Sequence, residues 1–186
     1  MNVFYTGVDN PVAVSAAGVP SNQVQVSMSG AGGGSITRNG DGTFNVRVTQ
    51  QTKKDEYAYV NVGAPGLSEK REFRVKRIPD PVAKLSSSNG GVMNSGEFKA
   101  QRGLFAVLEN FDFDAKCEII GYRLVRVPRR QDPIIGTNKA GPYGAECKGI
   151  VDQAKAGDTY YFEDVKAKCP GDASGRDINQ LVFKIN

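Results

Sequence analysis

Two prolines one residue apart stop a strand in mid-chain, and that break constrains the fold more than any other feature. In Phe73-Arg-Val-Lys-Arg-Ile-Pro-Asp-Pro-Val82, Phe73 and Val75 alternate with Arg74 and Lys76, the period of a sheet with one buried and one wet face. Pro79 and Pro81 then each remove a backbone donor, fix φ and push the preceding residue toward an extended conformation. The segment from Ile78 to Val82 is therefore expected to be short, stiff and extended, a spacer that holds two bodies in orientation where a Gly/Ser linker would let them wander. A chain of 186 residues could form one large β domain or two small ones. The break favours two: residues 1–78, a proline-containing linker over 79–82, and residues 83–186.

Both halves are expected to be mainly β. The 22 glycines and many Val and Thr residues favour strands and turns, and nine Phe with seven Tyr supply two modest cores. Residues 1–78 show short strands punctuated by turns, at Val3–Val8, Val12–Ala16, Gln23–Ser29, Thr43–Thr49, Glu56–Val62 and Lys70–Lys76, the spacing of an Ig-like β-sandwich. Asn39-Gly-Asp-Gly42 supplies the positive-φ residues of a hairpin between Ser35-Ile-Thr-Arg38 and Thr43-Phe-Asn-Val46. The second half is expected to be a β-rich α+β domain with one short helix, Glu146 to Ala156, whose Ile150, Val151 and Ala154 share a face and whose C-cap is Gly157. Strands are expected over Leu104–Phe113, Cys117–Val127, Thr159–Lys168 and Leu181–Ile185, with a Gly/Pro-rich loop over 133–143.

The residue inventory argues against an enzyme. The chain has no histidine, which removes Ser-His-Asp and Cys-His nucleophiles, HExxH zinc sites and most metal ligation together. Gly30 to Gly34 runs into a strand rather than a helix N-terminus, so it lacks the arrangement that cradles phosphate. Asp112 and Asp114 could contribute to a calcium site, but no Asp-rich loop accompanies them to reach six to eight oxygens; they read as outward carboxylates beside Phe111 and Phe113. Glu109 and Glu163 as a glycosidase pair have no tryptophan platform. No cofactor, metal or small-molecule substrate is expected. A net charge of +4, spread among acids, does not suit a nucleic-acid binder. Arg123, Arg126, Arg129 and Arg130 form the nearest thing to a basic patch, either a strand edge kept non-sticky by cations or a surface for an acidic or lipid-headgroup partner. No run of about 18 apolar residues is present, nor a secretory leader, and the chain reads as a piece of a longer protein.

Cys117, Cys147 and Cys169 contain no CxxC pair. Should the strands Cys117–Val127 and Thr159–Lys168 pair antiparallel, Cys117 and Cys169 would meet at their ends and could form a disulfide; three free thiols are the alternative.

Four blocks carry a resemblance. Asn2-Val-Phe-Tyr-Thr-Gly-Val-Asp-Asn-Pro-Val12, Phe73-Arg-Val-Lys-Arg-Ile-Pro-Asp-Pro-Val82, Ala106-Val-Leu-Glu-Asn-Phe-Asp-Phe-Asp114 and Tyr161-Phe-Glu-Asp-Val-Lys-Ala-Lys168 together resemble the C-terminal periplasmic half of the GldM/PorM family of gliding-motility and type IX secretion proteins. The resemblance implies a periplasmic homodimer. It would form the distal part of a shaft that joins an inner-membrane motor, through an N-terminal helix absent here, to a ring of outer-membrane-associated partner proteins. A cell-surface or periplasmic adhesion or ligand-binding sandwich is the alternative. Under the first reading the distal domain meets the ring. The segment Arg129 to Tyr143 is then the expected contact, as the longest irregular stretch, with Arg129 and Arg130 for acidic partners and Ile134, Ile135 and Tyr143 as apolar anchors.

Overall fold

The structure is a computed structural model that describes residues 2–186. Its packing separates two units, one of residues 2–78 with 112–115 and 170–172, the other of 79–111, 116–169 and 173–186.

The first unit contains β1 (Val3–Tyr5), β2 (Asn10–Val12), β3 (Gln25–Gly30), β4 (Ser35–Arg38), β5 (Phe44–Arg47), β6 (Ala58–Ala64) and β7 (Leu67–Lys76). They form a four-stranded sheet in the order β1-β7-β6-β3 and a three-stranded sheet in the order β2-β5-β4. The first strand runs parallel to the last, Val3 opposite Arg74, and the other ladders are antiparallel. This division of seven strands between two sheets, with the third, sixth and seventh adjacent in that order in one of them, is that of an Ig-like sandwich. Phe4, Val46, Val60 and Val75 are buried between the layers, and the Phe4 and Phe73 rings stack at 4.0 Å. Asn10 locks the β1–β2 corner: its side-chain oxygen accepts the Tyr5 N–H at 2.7 Å, and its amide donates to the carbonyls of Tyr5, Val8 and Val46. The hairpin closes where expected, with Asn39 N–H donating to Thr43 O at 2.8 Å. The strand expected over Val12–Ala16 is shorter. β2 ends at Val12, and although Val14 and Ala16 still pack against the core, the segment 13–16 has no ladder partner among the described residues.

The second unit contains β8 (Val82–Leu85), β9 (Gly91–Met93), α1 (Ser95–Ala100), β10 (Leu104–Val107), β11 (Glu118–Val127), β12 (Ile134–Asn138), α2 (Ala145–Asp152), β13 (Thr159–Lys168), β14 (Arg176–Asp177) and β15 (Leu181–Ile185). The main sheet runs β12-β11-β13-β15-β9 with β14 on β13, and β8 pairs with β10 in a separate ribbon. Alternation along β15 buries Leu181, Phe183 and Ile185. Phe98 of α1 meets them, fully buried, with Tyr160 at 4.5 Å and Phe183 at 6.0 Å between ring centres. The Asn94 side chain caps α1 by accepting the Glu97 N–H at 2.8 Å.

Three expectations need correction. The strand expected over Leu104–Phe113 ends at Val107, where its partner β8 runs out. Helix α2 ends at Asp152, and Gly157, with φ of 93°, sits in the turn beyond it rather than at the C-cap. The last turn tightens as Gln153 and Ala154 donate to Ile150 and Val151. The segment 133–143, expected to be a loop, contains β12, because Ile134 to Asn138 complete an antiparallel ladder against Arg126 to Tyr122. Gly136 is tolerated there because a side chain would strike Ile150 of α2.

Candidate functional site

Strand alternation in the main sheet sends Tyr122, Leu124, Tyr160, Phe162, Leu181 and Phe183 into the core, and the residues between them to the opposite face. There the registers align one apolar row. Val125 stands opposite Ile135 on one side and Tyr161 on the other, and Tyr161 stands opposite Val182. Directly opposed side chains on one face are in contact range, so four hydrogen-bonded strands present a continuous stripe. Ile135 is 55% exposed and Val182 41%. A second row follows as Val127, Thr159, Lys184 and Val92, with Val92 66% exposed. On the other flank Arg123 meets Glu163 at 2.5 Å and Asp164 at 3.6 Å. An apolar stripe with a charged border is the composition of a protein-binding surface.

The residues expected to bind a partner divide. Arg129 and Arg130 lie exposed in the turn after β11, and Ile135 points outward from β12. Ile134 and Tyr143 do not serve as exposed anchors. Both are partly buried and packed against the core, since Ile134 sits opposite inward-facing Arg126, and the Tyr143 ring lies 6.5 Å from Phe162. Burial, chiefly, with a contribution from Cys147, raises the Tyr143 phenol above its ordinary pKa.

The basic patch dissolves in the same way. Arg123 and Arg126 are three apart, an odd separation that puts them on opposite faces of a strand. Arg126 is accordingly buried: its Nε and Nη2 donate to Asp158 Oδ2 at 2.9 and 2.8 Å, and its Nη1 to Gln153 Oε1 at 3.0 Å. Counting parity from Leu124 would have revealed this, and would also have found the unremarked Val125, Tyr161 and Val182. Cys117 and Cys169 form a disulfide joining the ends of β11 and β13. Cys147 is free and buried, and burial first, then Glu146, pushes its thiol up to about 11. Among the described residues no group of His, Cys, Asp and Glu could hold a metal ion. No helix there is long and apolar enough to cross a membrane.

Compared with known protein families, residues 79–186 match the GldM C-terminal domain and residues 1–76 match the GldM third domain. No curated protein matches the chain. Among solved structures, the N-terminal four Ig domains of Dscam1 isoform 7.44 align with 11% identity and a TM-score of 0.27, covering 100% of this chain and 50% of that one. Isoform 1.9 aligns with 11% identity and a TM-score of 0.28, covering 98% and 48%. The chain spans about half the length of these structures, and TM-scores of this size do not bear on its fold.

Proposed function

The chain belongs to the GldM family of gliding-motility and type IX secretion components, and on that premise we propose that it is a non-enzymatic periplasmic module of such a machine. It acts as a homodimeric, load-bearing length of shaft between an inner-membrane motor and a ring of outer-membrane-associated proteins. The observation that supports contact with the ring is the apolar row Ile135, Val125, Tyr161 and Val182 on the outer face of the main sheet, exposed at Ile135 and Val182 and half-buried at Val125 and Tyr161 between them. The basic turn of Arg129 and Arg130 joins β11 to β12 at one end of this face. Binding energy concentrates in a few buried aromatic and apolar anchors, so Tyr161 is the expected centre.

Replacing Ile135, Tyr161 and Val182 together by Ser tests the reading by pull-down of identified ring proteins. Retention should fall at least about tenfold, the effect of losing a few anchors of 1–2 kcal/mol or more, while far-UV circular dichroism shows the fold retained at the assay temperature. Undiminished retention by the folded variant removes the face from the interface.

A further inference from the structure

In the first unit the β6–β7 ladder ends at the pair Ala58–Phe73, and past it a turn takes over the flank of β7. Thr52 closes on Val75 twice: its N–H donates to Val75 O at 3.1 Å, and its Oγ1 accepts the Val75 N–H at 3.0 Å. The chain then turns over Lys53-Lys54-Asp55-Glu56, where Glu56 N–H donates to Lys53 O at 3.2 Å and Asp55 takes a φ of 64°. Two lysines are thereby pinned beside the end of β7. Phe73 and Val75 pack into the core, so alternation turns Arg74 and Lys76 to the outer face.

Thr52, Lys53, Lys54, Arg74, Val75 and Lys76 line one open hollow of ≈ 220 Å³. Its four cations are exposed, and among the described residues none of them is in an ion pair. Cations that merely keep a face soluble have acids among them, as Arg71 has Glu69 and Arg123 has Glu163. The acids of this turn do not serve so. Glu56 Oε2 accepts the Lys53 main-chain N–H at 3.1 Å, and neither Asp55 nor Glu56 lines the hollow. Four like charges held around one concavity repel one another and focus a positive potential there, which a bound anion relieves.

The chemistry of the hollow selects the anion. A single carboxylate neutralises one charge of the four, whereas a phosphate monoester brings about −1.5 to −2 and three strong acceptor oxygens. Three of the four cations are ammonium groups, which bind phosphate as point charges. A second hollow of ≈ 480 Å³ shares Arg74 and is lined also by Asn2, Tyr57 and Glu72. An amide, a carboxylate and a ring edge together suit the hydroxyls and apolar face of a saccharide. A membrane surface fits less well. The exposed large apolar side chains of the described residues, Val92, Phe105, Ile120, Ile135 and Val182, all belong to the second unit, so nothing around the hollow inserts into lipid. We propose that Lys53, Lys54, Arg74 and Lys76 bind the phosphoryl group of a soluble sugar phosphate, with the sugar in the neighbouring hollow.

The full 186-residue chain tests this by amide NMR with glucose 1-phosphate as the probe. The amides of Lys53, Lys54, Val75 and Lys76 should shift saturably, and glucose in sodium chloride of matched ionic strength should leave them in place. Lys53→Gln with Lys54→Gln should weaken binding at least about tenfold, and so should Arg74→Gln with Lys76→Gln, each pair removing two charge-assisted bonds. Far-UV circular dichroism should be unchanged in both, because the sites are exposed, and added salt should weaken binding by the parent. Inorganic phosphate should bind more weakly than glucose 1-phosphate; equal affinity removes the sugar from the neighbouring hollow. Shifts that never saturate, or that both double variants leave unchanged, overturn the site. Tighter saturation by a polyglutamate peptide overturns the ligand class in favour of an acidic peptide. Co-sedimentation with phosphatidylcholine vesicles carrying phosphatidic acid, without binding of glucose 1-phosphate, overturns the soluble ligand in favour of a membrane.

Discussion

Removing the carboxylate of Asp158 should cost the second unit more than any surface ion pair could. Asp158 and Arg126 have side chains only 5% and 6% exposed. Asp158 Oδ2 receives Nε, Nη2 and the Lys155 N–H, the last at 3.1 Å. In Asp158→Ala the guanidinium stays buried beside Gln153 with its charge uncompensated, a situation that costs about 3–5 kcal/mol. Replacing both partners, as Arg126→Met with Asp158→Leu, removes the stranded charge and restores apolar packing worth about 1–4 kcal/mol. It also strips the Lys155 N–H of its acceptor, which costs about 1–3 kcal/mol. The double variant should thus lie near the parent. Equilibrium unfolding in urea, followed by far-UV circular dichroism because the chain has no tryptophan, measures both. For a domain near 100 residues each kcal/mol moves the melting point by about 4–8 °C. Salt should change the loss little, since a buried pair is weakly screened. A single-variant loss below about 1 kcal/mol, the size of an exposed pair such as Arg123–Glu163, would refute the argument.

Reducing the Cys117–Cys169 disulfide, which spans a sequence separation of 52, should destabilise the second unit by about 2–4 kcal/mol through the enlarged unfolded ensemble; chemical denaturation with and without reductant measures it, and coincident curves contradict it. Asn10→Ala should lower the stability of the first unit by about 2–4 kcal/mol, because four main-chain partners lose a bond inside the β1–β2 corner; accelerated amide exchange at Tyr5 identifies the site, and unchanged exchange there rules it out.

Alternation carried most of the sandwich into view. Phe44 and Val46, Val60 and Val62, and Leu181, Phe183 and Ile185 follow the two-residue period and are buried as it requires. The Asn39–Gly42 turn was legible because few residues other than Gly and Asn adopt its backbone. Where the sequence misled, the cause was long-range. Nothing local marks Ile134-Ile-Gly-Thr-Asn138 as a strand; its partner lies in β11, and pairing overrode the Gly/Pro signal around it. The candidate anchors divide for the same reason, since a loop would have exposed Ile134, Ile135 and Tyr143 together, whereas a strand followed by a turn exposes Ile135 and folds the others inward. Arg126 departs from the expected exposed cation because the partner that permits its burial, Asp158, lies 32 residues away, beyond any local pattern.

The surface proposed for contact with the ring lies on strands, and this bears on the proposed load-bearing role. A ligand seated on the row from Ile135 to Val182 touches four strands whose main chains are bonded to one another, so a pull on the face is shared by the ladder instead of being taken by a loop that yields first. The disulfide stands at the opposite end of the β11–β13 ladder from Val127 and Thr159. It therefore ties the pair that supplies Val125 and Tyr161 at the end remote from the Arg129–Arg130 turn. Tension applied at that turn would open the ladder from the free end and meet a covalent stop at Cys117–Cys169. In the proposed load-bearing role, such a ladder resists separation of its central strands through backbone bonds and one covalent tie, and leaves the outward side chains of the same strands to select the partner.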